Sequence, residues 1–159
     1  MRIIAIDPGY DRVGIAVLEK KSRGEKEVLL FSECFQTSNK LSLEDRLCLV
    51  GKEVEKVISE FSPTILAIET LFFSNNQKTA LKVAEARGVI QYQAKRQGLE
   101  IREYSPQEIK IAITSVGNSS KEQIISMIPK LIVMREVKQL DDEYDAIAVG
   151  ITHFAHNTI

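Results

Sequence analysis

The chain of 159 residues has no block of like charge, no Gly/Ser-rich tract, no low-complexity segment and no internal repeat. Those absences exclude a disordered arm or a flexible linker between domains. With 44% hydrophobic residues the length suffices for one well-buried core and is too short for two ordinary domains, so residues 1–159 are expected to form a single domain. Cysteine is scarce. Cys34 and Cys48 match no metal-ligand spacing, and their apolar neighbours predict buried thiols in a reducing compartment. No apolar run approaches the ~20 residues needed to cross a bilayer. The opening MRIIAIDPG also lacks the charged-then-apolar layout of a signal peptide, so the expected location is the cytoplasm. A net positive charge is missing too: the balance is −1, which excludes a generally basic coat for nucleic acid.

The charge is nevertheless uneven. Residues 76–130 carry Lys78, Lys82, Arg87, Lys95, Arg96, Arg102, Lys110, Lys121 and Lys130 against five glutamates, a local excess of +4. By itself that excess reads as an ordinary solvated surface and not as a binding face.

The apolar pattern predicts three strands, at 2–7, 13–19 and 28–37, separated by turn signals at Pro8, Gly9, Ser22 and Gly24 and read as an antiparallel meander. Leu43, Leu47, Val50, Val54, Val57 and Phe61 keep helical spacing over 42–61, with Ser42 and Asp45 resembling a capping box and Pro63 ending the run. A strand at 64–69, a helix at 77–97 closed by Gly98 and a strand at 100–104 follow. Helices are expected at 106–115, 120–132 and 142–156. A meander followed by strand-helix alternation predicts an α/β fold, a five-stranded mixed sheet flanked by helices.

Four carboxylates stand out. Asp7 and Glu69 each end a predicted strand, where open α/β sheets place their ligands. Glu69 lies between Ile68 and Leu71–Phe72, a setting where an ionised carboxylate is costly unless something positive compensates it. Asp141, Asp142, Glu143 and Asp145 open the last helix, where the helix dipole alone would favour them. Asp142 and Asp145, however, are three apart and share a face that continues through Ala146 and Val149 toward the core. Hard oxygen donors of this kind suit Mg²⁺ or Mn²⁺, and a pair of such ions supports phosphodiester hydrolysis.

With those residues placed, the sequence resembles the RuvC family of Holliday-junction resolvases, nucleases of the RNase H-like fold. IDPGYDRVGIAV is similar to the family's first motif, AIETLFF to its second, ALKVAEARGVI to the helix that follows and DDEYDAIAVGITH to its closing acidic helix. The resemblance implies a catalytic quartet of Asp7, Glu69, Asp142 and Asp145 holding two Mg²⁺ (or Mn²⁺) ions, and leaves open whether Asp141 or Glu143 assists. It implies that Lys110 and Lys121 act on the scissile phosphate. It assigns Phe72 or Phe73 to base contacts at the junction centre, with Lys78, Lys82 and Arg87 on the DNA-binding face. It further implies a homodimer, since resolution needs two symmetric cuts, and cooperation with a junction-binding branch-migration helicase complex.

Ala80, Ala84, Ala86, Gly88 and Ile90 form a small-residue stripe that suits either that dimer interface or burial against the chain's own sheet. His153 and His156, an H-x-x-H pair on the last helix, are read as surface or near-terminal residues. Two rival functions share parts of the pattern. An RNase H-like nuclease acting on RNA would keep the opening Asp and the sheet. An actin-like-fold nucleotide-binding protein would use D-P-G-x-x-x-x-G as a phosphate loop, but it calls for a second Gly-rich loop that the sequence does not contain.

Overall fold

The computed structural model describes residues 1–71, 77–134 and 140–157, with the backbone alone for 77 and 78. Strands β1 (Arg2–Asp7), β2 (Arg12–Glu19) and β3 (Val28–Gln36) form the expected meander. They are followed by α1 (Leu43–Phe61), β4 (Ile65–Glu69), α2 (Gln77–Arg96), β5 (Glu100–Tyr104), α3 (Pro106–Thr114), α4 (Lys121–Leu131) and α5 (Asp141–His156). The sheet order is β3-β2-β1-β4-β5, antiparallel across the meander and parallel from β1 through β4 to β5.

Strand periodicity divides the side chains between two cores. Ile4, Ile6, Val13, Ile15, Val17, Leu66 and Ile68 face α1 and α2, meeting Val50, Val54, Val57 and Ile90. Ile3, Ala5, Ala16, Leu18, Ile65 and Ala67 face the layer of α3, α4 and α5. Each such isoleucine or leucine contributes about 1.5–3 kcal/mol on burial. The same alternation carries past the strand ends: Asp7 follows Ile3 and Ala5, and Glu69 follows Ile65 and Ala67, so both acids fall on the α5 side of the sheet. Arg12 and Gly14 share that side with Ala16 and Leu18.

The helix ends follow their sequence signals. Ser42 Oγ accepts the Asp45 N–H at 3.2 Å, and Ser62 closes α1 with a left-handed φ of 49°. Ser105 with Glu108 and Ser120 with Gln123 form reciprocal capping boxes on α3 and α4. Pro129 lies within α4 and the helix continues to Leu131. At the start of α5 the Glu143 carboxylate accepts the N–H of Leu140 at 3.0 Å, the half of a capping box that does not require a polar side chain at Leu140.

The turn joining β2 to β3, residues 20–27, lies beyond the Arg2↔Glu19 pairing, and the Asp7↔Gly14 pairing marks the opposite edge of the sheet. Two expectations are corrected here. His153 is 1% exposed, because α5 lies across the sheet and every residue from Ala146 to Phe154 is buried. The thiols are not core groups either: Cys48 is exposed on α1, and Cys34 is half-buried on the α5 face of β3 beside polar partners. The small-residue stripe on α2 divides, with Ala86 and Ile90 fully buried while Gly88 is exposed and Leu81 and Tyr92 stand 61% and 65% exposed.

Candidate active site

Asp7 and Glu69 end neighbouring parallel strands whose register pairs Ile6 with Ile68. That spacing is set by the ladder, roughly 4.8 Å between strands. Across from them, the first turns of α5 supply Asp142 and Asp145. A cleft of about 270 Å³ is lined by Asp7, Glu69, Thr70, Thr79 and Val83. A second of about 120 Å³ meets the first at Glu69 and Pro106 and continues to Lys110, Ile124 and Asp145. Of the basic residues singled out in the sequence, Lys110 thus lies beside two of the four acids. Lys121 Nζ is 2.8 Å from Asp145 and 3.6 Å from Asp141.

Electrostatics mark the site sharply. Burial pushes the Asp7 carboxyl up to about 8, reinforced by the negative charges of Glu69, Asp145 and Asp142 and opposed by Lys121. Glu69 is pushed up to about 7 by burial and then by Asp145, again with Lys121 opposing. Asp145 is raised by burial against the pull of its hydrogen bond to Lys121. Like charges crowded into low dielectric behave this way when no cation lies between them.

Among the described residues no Lys or Arg forms an ion pair with Asp7 or Glu69. Asp142 and Asp145 are turned to Arg12 (2.5 Å) and Lys121, and among the described residues no three potential ligands converge on one point. The donor set is nonetheless four carboxylates against two paired cations, Arg12 and Lys121, and hard oxygen donors with that excess of negative charge suit a hard divalent cation.

Three side chains make contacts at the site that the sequence does not predict: Arg87 is expected on the DNA-binding face, Cys34 as a buried thiol, and Arg12 has no assigned role. Arg87 Nε donates to the Glu69 carbonyl at 3.2 Å while its guanidinium pairs with Glu103 at 2.8 Å, so it braces the strand end that carries the acid. Arg12 and Cys34 both contact Asp142. These contacts depend on strand register and on chain separations that leave no local trace, although Arg12 lies within IDPGYDRVGIAV and Arg87 within ALKVAEARGVI. Lys82 extends over the Tyr10 ring at 5.3 Å, on the side of the β1–β2 turn. Phe72 and Phe73 lie outside the described residues, as does the side chain of Lys78.

The family model of crossover junction endodeoxyribonuclease RuvC matches residues 3–153. The chain belongs to the RuvC family. It is 38% identical over 153 residues to the Fusobacterium nucleatum crossover junction endodeoxyribonuclease RuvC, covering 96% of this chain and 80% of that one. To the Thermosipho melanesiensis RuvC it is 40% identical over 150 residues, covering 94% of each. Thermus thermophilus RuvC in complex with Holliday junction substrate superposes with a TM-score of 0.91 at 28% identity, covering 98% of this chain and 94% of that one. The fold is therefore the RNase H-like fold of RuvC, and the protein is a Holliday junction resolving endonuclease of a metal-dependent family. That assignment favours junction DNA over RNA or nucleotide as the substrate. No helix of the described residues is long and apolar enough to cross a membrane.

Proposed function

We propose that residues 1–159 act as one nuclease domain that cuts the two symmetry-related strands of a four-way junction. In this reading Asp7, Glu69, Asp142 and Asp145 hold two divalent ions, Mg²⁺ or Mn²⁺. The observation that carries it is the pair of half-buried carboxylates at adjacent strand ends, raised to about 8 and about 7 by desolvation and by their acidic neighbours. Divalent ions held by these carboxylates would favour their charged forms and would supply charge stabilisation and an activated water.

The chain's own residues orient the reaction. The β1–β4 ladder fixes the separation of Asp7 and Glu69. Gly14 seats the first turn of α5 against β2 and so sets the backbone of Asp142. Lys121, held at Asp145, and Lys110, in the adjoining cleft, offer ammonium groups to the non-bridging phosphate oxygens, where negative charge grows during attack. Lys78, Lys82 and Arg87 contribute to the DNA-facing surface. Of these, Arg87 acts mainly through Glu69, because its guanidinium is already committed. Phe72 and Phe73 fill the base-contacting role.

One copy holds one site, and two coordinated cuts need two. The exposed face of α2 bearing Leu81, Gly88 and Tyr92 suits a homodimer contact, since a residue without a side chain lets backbones approach and the two large apolar groups gain by burial. A branch-migration helicase complex is the expected further partner, and the cytoplasm the place of action.

The test is cleavage of a labelled mobile four-way junction by wild type and Asp7→Asn, with Mg²⁺, with Mn²⁺ and with chelator, and with duplex and RNA–DNA hybrid as controls. Paired ligatable nicks that require metal and Asp7, and that appear only on the junction, are the expected result. Cleavage that survives Asp7→Asn, or that prefers the hybrid, would overturn this assignment.

A further inference from the structure

The first turn of α5 is fastened to the far strands by three side chains. Ser32 Oγ donates to Glu143 Oε2 at 2.6 Å, the Cys34 thiol donates to Asp142 Oδ2 at 3.6 Å, and Arg12 Nη2 lies 2.5 Å from the same Asp142 oxygen. The sheet register dictates this gathering. Arg12 and Gly14 are two apart on β2 and share its α5 face, and Cys34 is the ladder partner of Gly14. Gly14 in turn lies directly beneath the Asp142 carbonyl. The backbone of Asp142 is thereby fixed, and its carboxylate is the part left to turn.

That carboxylate stands between two demands. On one side are Asp7 and Glu69, and Asp142 has the weakest influence on Asp7 of the three acidic neighbours. On the other is Arg12, the one cation in ion-pair contact with Asp142 among the described residues. An arginine keeps its charge at every relevant pH, so it cannot withdraw by losing a proton.

We infer that Arg12 is a positioning residue that competes with the divalent ion for Asp142, holding this carboxylate aside in the metal-free protein and releasing it when the ion binds. The inference rests on the quartet being the metal site, as proposed above. It predicts that metal affinity in this chain is set partly by a residue that is no ligand. An ion pair as exposed as this one is worth a factor of roughly two to five in an equilibrium, and that is the size of effect expected.

The experiment is a titration of Mn²⁺ into the DNA-free full chain, with free ion followed by electron paramagnetic resonance. Wild type, Arg12→Gln, Arg12→Lys, Asp7→Asn, Asp142→Asn and the Arg12→Gln/Asp142→Asn double variant are compared. Arg12→Gln is expected to bind Mn²⁺ roughly two- to five-fold more tightly than wild type. Arg12→Lys should return affinity toward wild type, and the gain should vanish when Asp142 is absent. Unchanged or weaker binding in Arg12→Gln overturns the inference. So does a gain of the same size in the Asp142→Asn background, which would reflect a general field and not competition at this carboxylate. Mn²⁺ binding that is indifferent to Asp7→Asn would instead overturn the quartet as the metal site, whatever Arg12 does.

Discussion

A Cβ placed on Gly14 would stand 1.9 Å from the carbonyl oxygen of Asp142, so β2 and the start of α5 touch backbone to backbone. The Ala146 methyl closes the same spot at 3.3 Å. Gly14→Ala must therefore push α5 off the sheet and carry Asp142 and Asp145 with it. The expected cost is about 1–3 kcal/mol of stability, read by denaturant unfolding, with a loss of junction cleavage larger than the unfolded fraction accounts for.

Asp7 has the opposite signature. Its folded-state pKa, about 8, lies above the ordinary value of 3.8. The folded protein thus keeps a proton that the unfolded chain releases, and metal-free stability falls as pH rises from about 4 through about 8. Glu69, at about 7, adds to the same slope. In Asp7→Asn the slope flattens, and at pH 8 the metal-free variant should melt at or above the wild-type temperature while being inactive. Thermal melts at pH 5.5 and 8, in chelator, check this.

Lys121 and Lys82 are expected to fail in different ways. Lys121→Met removes the ammonium beside Asp145 and should lower the single-turnover cleavage rate about 10²-fold or more at saturating junction. Lys82→Met, a residue that leans over Tyr10, should weaken junction binding and reduce the log-log salt slope by about one, with cleavage at saturation preserved. Fluorescence-anisotropy titrations at several salt concentrations, paired with quenched cleavage time courses, separate the two.

His153 is structural. Its Nδ1 lies 2.8 Å from the Tyr104 hydroxyl, linking α5 to β5, and the ring is fully enclosed. His153→Ala should cost about 2–4 kcal/mol through the cavity and the lost partner, and Tyr104→Phe about 1 kcal/mol. Denaturant midpoints measure both.

The fold was largely legible because each strand and helix declares itself over a short window. Ile3 to Ile6, Ile65 to Ile68 and the Val50–Val54–Val57 series all carry their period in sequence. Asp7 and Glu69 were legible for the same reason: an acid at the end of an apolar strand is a local anomaly. What escaped was anything that depended on register between distant segments. The approach of Arg12 to Asp142 spans two elements separated by most of the chain, and although Arg12 lies within IDPGYDRVGIAV, nothing in that motif points it at an acid 130 positions on. Cys34 was misjudged because its sequence neighbours, Phe31 and Phe35, pack toward α1 while the thiol itself points to α5. His153 was misjudged because histidine near a chain terminus resembles a surface residue unless one knows that the helix bearing it crosses the sheet.

The β2–β3 turn offers something practical. Residues 21–26 are exposed, Gly24 adopts φ 87° with open space around it, and the Arg2↔Glu19 pairing puts the turn at the edge of the sheet away from Asp7. A dye or surface tether attached there would report on single molecules while leaving the acidic edge untouched.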